Sequence, residues 1–78
     1  MAEPKYQALA ADIVAQIRSG QLEPGGQLPS QAALREQYKV SSIVVRNAMI
    51  HLKAAKILEG VPGVGVFVME NPRVDEYP

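Results

Sequence analysis

Between Leu28 and Arg46 the chain reads Leu-Pro-Ser-Gln-Ala-Ala-Leu-Arg-Glu-Gln-Tyr-Lys-Val-Ser-Ser-Ile-Val-Val-Arg, and it holds two helix starts. Ser30 can accept a hydrogen bond from the amide of Ala32 or Ala33 as an N-cap, which predicts a helix over Gln31–Tyr38. Ser41 is a second N-cap. Val40, just before it, can close a hydrophobic staple on Val45, four positions into a helix expected over about 42–55. Only Tyr38-Lys39-Val40 lies between the two. A connection that short holds the helices at a steep angle, the helix-turn-helix geometry in which the second helix enters a DNA major groove.

The flanking segments complete a small unit. Tyr6, Leu9, Ala10, Ile13 and Ile17 recur at helical spacing, with Pro4 at the entrance and Gly20 as a stop beyond Arg18, so a first helix is expected over about 4–18. Pro24-Gly25-Gly26 then makes a turn, leading into a short extended Gln27-Leu28-Pro29. After the third helix, the runs 57–60 and 66–69 are β-prone and flank Val61-Pro62-Gly63-Val64-Gly65, which predicts a hairpin. The expected fold is therefore small α+β, a winged helix-turn-helix of three helices and a C-terminal β-hairpin wing. It occupies residues 1–69, and the polar tail 70–78 reads as a linker or disordered end.

Seventy-eight residues allow one small domain, with a core near the lower limit for independent folding. No apolar run approaches the roughly 20 residues of a membrane helix, so no membrane partner is expected. Met1–Lys5 leads straight into an amphipathic pattern rather than the apolar stretch of a signal peptide. The absence of cysteine excludes disulfides and thiolate metal sites and suits a cytoplasmic location. Net charge is zero, which argues against a partner as anionic as nucleic acid until its distribution is considered. Arg35, Lys39, Arg46, Lys53 and Lys56 face one acid, Glu36, between residues 30 and 56, a surplus of +4. The rest of the chain carries the compensating −4. Either the helix-turn-helix half is an electropositive face, or these are ordinary solvated helix charges.

Several motifs together resemble the N-terminal domain of the GntR family of bacterial transcription regulators. They are Lys5-Tyr6, Ile17 with Gly20, Pro24-Gly25 with Leu28-Pro29-Ser30, Val40-Ser41, Val45-Arg46-Asn47-Ala48, Leu52, and Gly63 and Gly65 followed by Phe67-Val68. The resemblance covers about residues 5–69. It implies a winged helix that binds double-stranded operator DNA as a homodimer on a palindromic site, in a regulator that is a repressor by family analogy. It also implies a C-terminal effector or oligomerisation domain, which this chain lacks, so the sequence is either a fragment ending in the linker or a minimal member. Lys5 and Tyr6 match backbone-contacting positions, Gln31 the first position of the second helix, Arg46 the recognition-helix arginine and Gly63 the wing tip. The chain departs from the pattern at Ala32 and Ser42, where arginine is common, and at Ile43 and Val44, where Ser or Thr is usual. Lys39 and Lys56 stand where the family has glycine, so each is expected in a left-handed conformation costing about 1 kcal/mol.

At about 100° per residue, Val45, Ala48, Met49 and Leu52 share the inner face of the third helix. Ile43, Asn47 and Ile50 then point outward, flanked by Arg46 and His51. Asn47 suits a bidentate contact with adenine, Arg46 a guanine or phosphate, and Ile43 a thymine methyl. The candidate DNA-contacting residues are Lys5, Tyr6, Gln31, Arg35, Ser41, Ser42, Ile43, Val44, Arg46, Asn47 and Gly63. The alternative is a degenerate winged helix whose exposed isoleucines dock a protein, in which case affinity would be insensitive to salt. No chemistry of catalysis or cofactor binding is expected. His51 is the only histidine, Ser30 and Ser41 are explained as caps, and Gly63-Val64-Gly65 lacks the Lys-Ser/Thr of a phosphate loop. The wing glycines either serve the turn alone or let the backbone approach a phosphate closely.

Overall fold

The computed structural model describes residues 5–77, in the order α1 (Lys5–Ser19), α2 (Gln31–Tyr38), α3 (Ser42–Ala54), β1 (Leu58–Val61), β2 (Gly65–Val68) and a 3-10 turn (Val74–Glu76). Pro4, expected at the entrance of α1, lies outside the described residues. Both predicted caps form. Ser30 Oγ accepts from the Ala33 amide at 3.1 Å and Ser41 Oγ from the Val44 amide at 3.3 Å, each from an extended backbone. Such caps satisfy amides that have no partner within the helix. Between the helices Lys39 takes φ 55° and ψ 48°, and its amide donates to the Arg35 carbonyl. Lys56 has φ 63° at the end of α3, so both lysines adopt the left-handed backbone that their replacement of glycine implied.

Among the described residues, fourteen buried apolar side chains form one core. Leu9, Ala10, Ile13, Val14 and Ile17 come from α1, Leu34 from α2, and Val45, Ala48, Met49 and Leu52 from α3. Leu28, Ile57, Leu58 and Val68 close it from the loop and hairpin. Val14 was not anticipated on the buried face of α1, whereas Tyr6, which was, is only half-buried. Val40, expected to staple the start of α3, is partly buried and packs against the core to which Val45 belongs.

β1 and β2 pair antiparallel, Leu58 opposite Val68 through Val61 opposite Gly65. Each strand lies one residue from its expected position. Ile57 donates to the Leu52 carbonyl and so still belongs to the helix end, although its own carbonyl accepts from Met69. At the tip the Val64 amide donates to the Val61 carbonyl at 3.0 Å and Gly63 has φ 76°, the pattern of a type II turn with proline and glycine at its centre. The extended Gln27-Leu28 segment adds a third edge. Leu28 donates to the Val66 carbonyl, Val68 to that of Gly26, and Gln27 bridges Phe67.

Residues 70–77, expected as linker or disordered end, turn back onto the domain. The Arg18 guanidinium donates to the carbonyls of Val74 and Tyr77, Arg73 donates its amide to the Lys56 carbonyl, and Val74 and Tyr77 pack on the core. Two apolar residues on a single turn, with their carbonyls taken by a remote arginine, leave no periodicity for a sequence reading to detect.

Candidate nucleic-acid interface

The inward and outward faces of α3 separate as the periodicity requires. Val45, Ala48, Met49 and Leu52 are at most 2% exposed, whereas Ile43 is 66% and Ile50 54% exposed. Ser42, Arg46, Asn47 and His51 are also exposed. One stripe of α3 thus presents Ile43, Asn47 and Ile50 to solvent, with Arg46 beside it. Val44 is half-buried against the core, and the Ser41 hydroxyl is engaged in its cap. Both therefore offer less to an outside partner than their neighbours do.

The remaining candidates lie on other elements. Gln31 is exposed at the first position of α2, and Arg35 is exposed one turn further on. Lys5, at the start of α1, lines a surface groove of about 410 Å³ with Ala8, Leu9, Asp12, Tyr38, Lys39 and Val40, so it lies beside the helix-turn-helix connection. Tyr6 is half-buried, its ring edge-on to His51 at 6.1 Å, and His51 in turn meets Tyr77 at 5.6 Å. The Tyr6 ring is thereby committed to α3. Gly63 stands at the exposed wing tip, and a Cβ built there would meet nothing within 4 Å.

α1 and α2 are tied by a polar cluster that the sequence did not announce. Tyr38 Oη donates to the Asp12 carboxylate, while Gln16 Nε2 donates to Tyr38 Oη at 2.8 Å and to Asp12 Oδ2 at 3.0 Å. Burial raises the Tyr38 pKa, and the hydrogen bond and charge of Asp12 raise it further, against a smaller opposing effect of Gln16. Gln27 was missed as a site-shaping residue. Its side-chain amide donates to the Val64 carbonyl at 3.1 Å and so braces the wing tip from the loop before α2. A contact across 37 positions has no local signature. Among the described residues no three His, Cys, Asp or Glu side chains are grouped to hold a metal, and no helix is long and apolar enough to cross a membrane.

The model of the family described as bacterial regulatory proteins, gntR family, matches residues 5–68. The chain belongs to the GntR family. It is 40% identical over 69 residues, 88% of its length, to the mannosyl-D-glycerate transport/metabolism system repressor MngR of Escherichia coli. It is 32% identical over 73 residues to the HTH-type transcriptional repressor NagR of Bacillus subtilis. It covers 29% of the first and 30% of the second, so it spans under a third of the length of these curated GntR-type relatives. Among solved structures, AraR(DBD) in complex with operator ORR3 is similar at a TM-score of 0.83 and 31% identity, covering 87% of this chain and 82% of that one. A transcriptional regulator from Oenococcus oeni is similar at a TM-score of 0.86 and 30% identity, covering 91% of this chain and 59% of that one. The three helices and antiparallel hairpin are thus the winged helix-turn-helix of GntR DNA-binding domains.

Proposed function

We infer that this GntR-family domain binds double-stranded operator DNA in a sequence-specific manner and serves transcriptional regulation, as a repressor, rather than catalysis. The likeness to a domain solved on its operator carries the reading, because it extends over 87% of this chain and 82% of that one. The solvent-exposed stripe of α3 supports it. In this reading α3 lies in the major groove, where Ser42, Ile43, Arg46 and Asn47 meet base edges, with a lesser part for Val44. Lys5, Tyr6, Gln31, Arg35 and Ser41 hold the flanking phosphates, helped by the amides at the N-termini of α1 and α2. Gly63 carries the wing tip to the minor groove. A homodimer on a palindromic site follows from family analogy, and two weak half-site contacts then reinforce each other through effective concentration. A cytoplasmic location accords with a partner of this kind.

The test is an NMR titration of the labelled chain with a palindromic duplex enriched from a random pool and with a scrambled duplex, at low and moderate salt. Shifts concentrated at Lys5, Gln31, Ser42, Arg46, Asn47 and Gly63, stronger on the enriched duplex and weakening steeply with salt, are expected. No shifts on either duplex would refute the reading. In that event the exposed isoleucines would point to a protein partner instead.

A further inference from the structure

The outward stripe of α3 is chemically unusual for a surface that meets DNA. Ile43 and Ile50 stand 66% and 54% exposed, and Asn47 lies between them on the same face. Neither isoleucine can donate or accept a hydrogen bond, so neither can satisfy the acceptors of guanine or the exocyclic amine of cytosine. Placed against a G·C pair, each would strip water from polar groups and give nothing in return. Against thymine the same side chain meets the C5-methyl, the one apolar group on the major-groove edge. A face made for a protein partner would be served by a continuous apolar patch. Here the stripe is broken by an amide whose donor and acceptor match the adenine edge, and it lies in the segment 30–56 that carries a surplus of four positive charges.

Building on the DNA-binding reading, we propose that Ile43 and Ile50 determine specificity by seating on the C5-methyl groups of two thymines, on either side of an adenine held by Asn47. Seven residues of helix advance about 10 Å, which is about three base-pair steps when the helix follows the groove. The half-site preferred by this chain therefore has a T/A-rich centre with two methyl contacts about three base pairs apart. Arg46, one position before Asn47, is left for a guanine or phosphate at the margin.

The experiment starts from a duplex selected by the full chain from a random pool, remade with each thymine replaced in turn by deoxyuridine, which removes only the methyl. Dissociation constants are measured by fluorescence anisotropy at fixed salt for the wild type, Ile43→Ala and Ile50→Ala. Both variants should keep the wild-type melting curve, because both side chains lie outside the core. The wild type is expected to lose about fourfold in affinity at each of two positions per half-site, the value of one buried methyl. That loss should vanish at one position in Ile43→Ala and at the other in Ile50→Ala. Indifference of the selected duplex to every deoxyuridine, or sensitivity kept in both variants, overturns the methyl contacts and leaves DNA binding standing. A selection that enriches no duplex overturns the DNA reading and this inference together.

Discussion

The wing offers two glycines that look alike in sequence and differ in surroundings, so substituting each with alanine tests the account of how the wing is held. Gly63 has φ 76° and open space around a built Cβ. Gly63→Ala therefore meets backbone strain alone, about 1–2 kcal/mol, partly offset by the lower entropy of the unfolded chain. A net loss of about 1 kcal/mol is expected, or roughly 4–8 °C in Tm for a domain of this size. Gly65 has φ 151°, a conformation rarely adopted by other residues, and its Cβ would lie 2.6 Å from Gln27 Nε2. That amide sits at the end of a flexible side chain and can withdraw, but withdrawal breaks its bond to the Val64 carbonyl. Strain of about 2 kcal/mol and a lost hydrogen bond of about 0.5–1 kcal/mol make Gly65→Ala roughly 3 kcal/mol destabilising. Out of a total stability of about 4–12 kcal/mol for a domain of this length, that is a large fraction. Urea and thermal unfolding followed by circular dichroism would measure both variants. In a Gln27→Ala background nothing obstructs the new methyl and no bond remains to be lost, so Gly65→Ala should cost about 0.5–1 kcal/mol less than in the wild type. Equal losses at Gly63 and Gly65, or perfect additivity with Gln27→Ala, would refute the bracing role of Gln27.

Ser41→Ala removes the side-chain acceptor of the Val44 amide and should destabilise the domain by about 1 kcal/mol in urea unfolding. Tyr38→Phe should alter the alkaline limb of stability. The folded phenol has a raised pKa, so its contribution is fully present below the ordinary value near 10 and is lost as pH rises through the folded one. Wild-type stability should therefore fall more steeply above about pH 10 than that of the phenylalanine variant. Arg18→Gln removes the guanidinium that donates to the Val74 and Tyr77 carbonyls, and amide shifts and faster hydrogen exchange should appear at 73–77 while the core melts nearly as before.

The sequence by itself determined the order and kind of the elements and most of what faces inward. The reasons are local: Ser30 and Ser41 cap because a hydroxyl ahead of a helix reaches amides three residues on, and the faces of α3 follow from the helical repeat. The left-handed backbones of Lys39 and Lys56 were legible through the family resemblance, since each stands where the family has glycine. Tertiary structure alone decided the contacts between segments distant in the chain. The wing is braced by Gln27, α1 is tied to α2 through Asp12, Gln16 and Tyr38, and the tail is held by Arg18. It also decided that Val44, a candidate contact, packs partly against the core and that Tyr6 is only half-buried. A polar side chain in a loop or at a helix surface carries no periodic signal, and its partner is chosen by which elements the shared core brings together.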